Sequence, residues 1–562
     1  MATSSAERSP FSVHPYSKET LADLFAKYSG GDLRYISGKV VLHYFSEYFS
    51  CSDLAAKTIV VESRYIDHDF LEDYAGYYAR CFSPYLKNCS RLHFFSKSFT
   101  EQAFRDFLAK ARDPSFTSQE LQSSYLGFIV VKPLPRKMIG KTCLRTYRDD
   151  GGRRYFIRAR SYEVNLFGHP LSVDHSLAFQ EQDSVAAACA TSALWTVLQG
   201  TGKLFQHIIP SPIAITRSAT QYISPEQRPF PNHGLNLPQM AHAIRGLGME
   251  SHLIGLTEHG LDRFRQTAYA YLRGDIPCVL AFALYDCSNE TGDAAYQPNG
   301  LHHFMGYHAV ALTGFSLPRQ GKMARNGSSH LPRLVATGMD KIYVHDDGVG
   351  PFARMEFDDK WVVVGSQDNN RYLASLSTSW RGGRGNSPIG SGRAVLTDLL
   401  IPLYPKIRIP FACILERVAI FHDFLRCLDE INPFIGSVTW DIHISQLNPF
   451  KESVVQNQKI TGEPLLKILT ATLPRFLWRA KLLQQGQEVL ELLFDATDFQ
   501  DGHLFLQGII HDRDFFNLLS NQIKTSKRSD LDAIIDFRPV KDILDWVWEE
   551  MGGTDTSDEA PP

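Results

Sequence analysis

The stretch Gln182-Asp183-Ser184-Val185-Ala186-Ala187-Ala188-Cys189-Ala190-Thr191-Ser192-Ala193-Leu194-Trp195 decides how the rest of the chain is read. Ala190, Leu194, Val197 and Leu198 recur at helical spacing, so a helix is expected here, with Asp183 or Ser184 as its N-cap. Its alanines predict close packing against a sheet. Cys189 then lies near a helix N-terminus, where partial positive charge favours the thiolate, the reactive form of cysteine. A free cysteine in an apolar helix is more often a small core residue. The rest of the chain has to arbitrate.

Outward from this helix, Gly306-Tyr307-His308-Ala309-Val310-Ala311-Leu312-Thr313-Gly314 reads as a strand with His308, Val310 and Leu312 on one face. A histidine leading an apolar face is poorly explained as surface, and as a general base it would take the thiol proton and later return it to the leaving group. His302 and His303 precede it without any standard zinc spacing. A second strand, Lys341-Ile342-Tyr343-Val344-His345-Asp346-Asp347-Gly348, ends in acid. Asp346 shares the face of Ile342 and Val344, so it is the expected orienting carboxylate, ahead of Asp347. The same residues also read as a strand-ending turn. An oxyanion needs donors besides the Cys189 amide. Gln180 and Gln182 are available, and Gln182 lies nearer the thiol in sequence.

These blocks resemble the papain-like cysteine peptidase superfamily, nearest its bacterial branch of double-glycine leader peptidases. In that branch a glutamine precedes Cys-Gly-x-Ala-Ala-Leu, matched by Gln182 and Cys189-Ala190-Thr191-Ser192-Ala193-Leu194. A Gly-x-Pro-Val strand is matched by Gly274-Asp275-Ile276-Pro277-Cys278-Val279, the histidine strand by Tyr307 to Gly314, and a His-Asp pair by His345-Asp346. Ala190 stands where glycine is usual and Asp347 where proline is usual. The spacing from Gln182 to Cys189 is one residue longer than the commonest pattern. The resemblance covers about Val164 to Pro402. It implies an α+β fold whose papain-like core packs the nucleophile helix on an antiparallel sheet. It also implies a Cys189–His308–Asp346 triad with Gln182 at the oxyanion.

Composition bounds the alternatives. The 562 residues carry 58 Lys+Arg against 61 Asp+Glu, a net charge of -3, which gives no reason to expect a nucleic-acid partner. Nine dispersed cysteines without a CxxC pair argue for reduced thiols, a cytoplasmic setting and no structural zinc. Met1 to Ser17 lacks a signal-peptide pattern, and no apolar run approaches the ~20 residues of a membrane span, so no membrane partner is expected. Phosphate-loop, HExxH, GxSxG and EF-hand motifs are absent from the sequence, so neither cofactor nor metal is expected.

The expected organisation is a flexible start (1–17), a mainly helical region (18–124), the papain-like domain (125–410), an α/β C-terminal domain (411–551) and a disordered tail (552–562). Ser98-Phe99-Thr100-Glu101 reads as a capping box, Phe411 to Ile431 and Pro464 to Gln485 as helices, and Arg381 to Arg393 as a surface loop. The expected function is a cysteine peptidase or related amide or isopeptide hydrolase acting on a protein or peptide. Two other readings remain: an acyl transferase with the same triad, and a degenerate scaffold that binds a protein partner through its flanks.

Overall fold

The computed structural model describes residues 9–110, 116–148, 150–157, 160–183, 188–222, 234–256, 260–286, 302–318, 332–357, 360–366, 369–378, 392–431, 436–498, 504–525 and 538–551. It is a mixed α and β chain of two compact units. The first comprises 1–261, 275–316 and 340–402, and the second 262–274, 317–339 and 403–562.

The first unit opens with an antiparallel five-stranded sheet, β1 (Phe11–Pro15), β2 (Thr58–Tyr65), β3 (Cys89–Phe95), β4 (Tyr125–Val131) and β5 (Ile139–Leu144), in that order. Two expectations are corrected here. Residues 11–15 are an edge strand rather than a flexible start, with Val13 opposite Val60 on β2. The region 18–124 holds more helix than strand but does not stand apart as a domain, because β4, across the expected boundary, pairs with β3 on one side and β5 on the other. Cutting there would expose a row of backbone donors and acceptors. The apolar packing is equally continuous: Phe45 and Phe94 from the N-terminal region share one buried cluster with Ile129, Phe156, Tyr343 and Phe352. Burying such side chains contributes about 1.5–3 kcal/mol each, so the shared core ties the region to strands much later in the chain.

Short strands β6 (Arg154–Phe156), β7 (Arg160–Leu166), β8 (His169–Ser176) and β9 (Glu250–Gly255) lead into the central element. There β10 (Cys278–Asp286), β11 (His303–Ser316), β12 (Lys341–Asp346) and β13 (Gly350–Glu356) are followed by the hairpin β14 (Trp361–Ser366) and β15 (Asn369–Ala374), then β16 (Leu376–Thr378) and β17 (Gly392–Leu403). The order β10-β11-β12-β13-β16-β17 closes through a β10–β17 pairing, so the antiparallel sheet is a six-stranded barrel, a closure the sequence reading did not specify. Closure removes the two edges such a sheet would carry. The helix Cys189–Phe205 packs on β10, β11 and β12. Its close approach is set by Gly200, where an added Cβ would stand 2.9 Å from Pro277 Cγ.

The second unit holds an antiparallel sheet β18 (Val438–Gln446), β19 (Phe476–Gln484), β20 (Gln487–Asp495) and β21 (Phe505–Ile510), with helices that include Phe411–Ile431, as expected, and Lys541–Glu550. Every pairing is antiparallel, so this region is α+β rather than the α/β domain expected over 411–551, and its compact unit takes up the chain again at Leu403. The helix expected over Pro464 to Gln485 is two elements, a helix Glu463–Thr470 and strand β19, separated at Pro474, whose ring cannot continue a helix. Thr100, not Ser98, caps the helix Glu101–Leu108 by accepting from Ala103 N–H, while Glu101 binds Arg105. Residues 552–562 and nearly all of the loop from Arg381 lie outside the described residues.

Candidate functional site

The helix begins at Cys189 itself, with Ala188 at the N-cap and, among the described residues, no side chain capping the first turn. Asp183 was expected to cap it. Instead Asp183 is buried and accepts from the Tyr78 hydroxyl at 3.1 Å, while Ser184 lies outside the described residues. The uncapped N–H groups of the first turn therefore concentrate positive potential beside the Cys189 thiol.

His308 stands on β11 opposite Phe282 of β10, and its side chain is only 10% exposed. On one side the Cys189 thiol is near enough to help raise the ring's pKa. On the other side, Nε2 lies 3.1 Å from Asp346 Oδ1 and 3.6 Å from Asp347 Oδ1. Consecutive strand residues should point to opposite faces. They converge here because the β12–β13 register shifts between Val344 and Asp346, and the strand ends at Asp346. Asp346 also accepts Gly348 N–H at 2.9 Å, and its carbonyl accepts Val349 N–H at 3.0 Å. The turn and the orienting carboxylate, posed as alternatives by the sequence, are the same residue.

The electrostatics follow from burial and these neighbours. Burial works against charge on His308, but the Asp346 and Asp347 carboxylates and the thiol contact outweigh it and hold the ring's pKa well above its ordinary value. Asp347 is pushed up to about 6, first by burial and then by Asp346, against the opposing pull of His308. On β12, His345 packs its ring edge-on against Phe352 and is driven down to about 3 by burial, so it stays neutral.

Gln180 is buried, 5% exposed, and its amide Nε2 has no partner among the described residues. A buried amide N–H left unpaired costs roughly 1–3 kcal/mol, so a ligand oxygen would satisfy it. Gln182, the residue favoured by spacing, is partly exposed. Spacing along the chain favoured Gln182, whereas burial and an unpartnered amide favour Gln180.

Among the described residues, two groups of side chains could hold a metal ion. His308, Asp346 and Asp347 present ligand atoms within 4.8 Å of one another, as do Glu488, Glu491 and His511 in the second unit. The latter border a cleft of about 190 Å³. Arg479 holds Glu491 at 2.5 Å and Lys481 holds Glu488 at 2.7 Å. Asn457 Oδ1 accepts Lys459 N–H, which turns its Nδ2 towards His511 Nδ1 at 3.3 Å. The ring proton then sits on Nε2, facing Glu491 at 3.3 Å, so this cluster is already neutralised by donors. His302 accepts Val363 N–H at 3.0 Å through its own Nδ1.

The eight described cysteines are unpaired, and no helix among the described residues is long and apolar enough to cross a membrane. No protein-family model matches the chain, and no curated protein matches it.

Proposed function

We propose that the protein is a cysteine-dependent amide hydrolase, a peptidase or isopeptidase with a papain-like core, acting on a protein or peptide in the cytoplasm. The observation that carries this reading is His308, whose Nε2 lies 3.1 Å from Asp346 Oδ1 and whose pKa is raised by Asp346, Asp347 and the Cys189 thiol. With Nε2 committed to Asp346, Nδ1 is the nitrogen left for the thiol proton. Cys189 would attack a carbonyl carbon, and the uncapped helix N-terminus with Gln180 or Gln182 would hold the oxyanion. His308 would protonate the leaving amine, and water would then cleave the acyl-enzyme. These steps need no cofactor. The order of cysteine, histidine and aspartate along the chain, which resembles the papain-like superfamily, adds to the same reading.

The test is the pH dependence of iodoacetamide labelling, with the modified thiol located by mass spectrometry. Cys189 should label fastest, and its labelling pKa should rise in His308→Ala. Cys189→Ala should lower turnover of any substrate by ~10³-fold or more while leaving the fold intact. A Cys189 that is unreactive, or indifferent to His308, would overturn the reading and favour a binding scaffold.

A further inference from the structure

The segment that carries both glutamines is gripped by the N-terminal part of the chain. Phe179 and Thr142 exchange backbone hydrogen bonds of 2.9 and 2.8 Å, and Glu181 N–H donates to Ile139 O at 3.1 Å. The Glu181 side chain is 2% exposed, and its Oε1 lies 2.5 Å from Lys39 Nζ and 3.6 Å from Lys137 Nζ. Its Oε2 accepts Ile139 N–H at 3.2 Å. Lys39 is itself fixed, donating to Arg136 O at 2.7 Å. Beyond Glu181, the Tyr78 hydroxyl holds Asp183.

A buried ion pair is a poor way to gain stability, because desolvation offsets most of the attraction, and apolar residues of like volume do as well or better. It does fix position, since only one arrangement satisfies both charges. Glu181 lies directly between Gln180 and Gln182. We infer that the Lys39–Glu181 ion pair is a positioning device that sets the oxyanion donor relative to Cys189, which makes the N-terminal sheet and helices part of the reactive apparatus. The inference rests on the hydrolase reading. Oxyanion donors act only when held to within about 0.5 Å, and a 1 Å displacement caused far from the chemistry can cost ~10²-fold.

Two reagents separate positioning from folding. With p-nitrophenyl acetate, Cys189 Sγ adds to the acetyl carbon and the carbonyl oxygen becomes an oxyanion. The bond to p-nitrophenolate then breaks, leaving an acetyl thioester on Cys189 and the thiol proton on His308. With iodoacetamide, Sγ displaces iodide at a saturated carbon, and no oxyanion forms. Glu181→Gln and Lys39→Met should each slow the nitrophenolate burst by ~10-fold or more, with the iodoacetamide rate and its pH profile at Cys189 unchanged. Gln180→Ala or Gln182→Ala should give the same selective loss, and adding Glu181→Gln to the sensitive one should cost little more. Lys39→Arg, which keeps the charge, should retain most of the burst.

Equal rates for both reagents in Glu181→Gln and Lys39→Met would overturn the inference, and so would a parallel loss of both reactions. A wild-type Cys189 that neither bursts nor alkylates faster than an ordinary thiol would overturn the hydrolase reading, and this inference with it.

Discussion

His308 is placed between one thiol and two carboxylates, and that residue-scale arrangement governs how any activity should depend on pH. An imidazole whose pKa is raised keeps its proton further into the alkaline range, and the imidazolium is lost as pH rises through that raised value. Removing a carboxylate lowers the value, so Asp346→Asn should move the alkaline limb of labelling or turnover to lower pH. Asp347→Asn should move it less, because Asp347 lies further away and its pKa of about 6 leaves it partly protonated in mild acid. Equal profiles for all three proteins would show that neither carboxylate supports the ring. Other thiols serve as internal controls: burial pushes Cys143 up to about 12, so it should not label in the native protein. Strand periodicity put His308 on an apolar face and favoured Asp346 over Asp347, while leaving a strand-ending turn as an equal reading. The participation of Asp347 was not legible, because a register shift at the end of β12 breaks the alternation on which that reading relied.

At the scale of the element, the helix Cys189–Phe205 shows, among the described residues, no side-chain cap of the kind most helices use. Ala188 already has the extended backbone of an N-cap, with φ -64° and ψ 171°. Ala188→Asp should therefore cap the helix without strain and raise stability by about 1 kcal/mol, read as a higher urea midpoint. It should also slow Cys189 labelling, since the new carboxylate takes up the first-turn N–H groups and adds negative charge beside the thiolate. Faster labelling in Ala188→Asp would show that the helix end does not assist the sulfur. The helix and its cysteine were readable from the spacing of Ala190, Leu194, Val197 and Leu198. The missing cap was not readable, because Asp183 has the chemistry of a cap but is engaged by Tyr78, more than a hundred positions earlier in the chain.

Over the whole first unit, buried neutral histidines make acid destabilising. Burial lowers His93 to about 4 and His345 to about 3, whereas both return to about 6.5 on unfolding. The unfolded chain therefore binds more protons below that value, and stability falls as pH drops through about 6.5 towards the folded values. The urea midpoint should be lower at about pH 4.5 than at about pH 7, and His345→Gln should flatten that dependence. A midpoint as high in acid as at neutrality would contradict it. What the sequence by itself determined was the local chemistry: a helix starting near Cys189, strands bearing His308 and Asp346, and a mixed α and β class. Each of these is encoded in the spacing of neighbouring residues. Only the tertiary structure decided that the strands close into a barrel, that the N-terminal region shares a buried cluster with β12 and β13, and that Lys39 and Lys137 reach Glu181. Those outcomes depend on strand pairings and buried charges between residues far apart in the chain, and no local period records them.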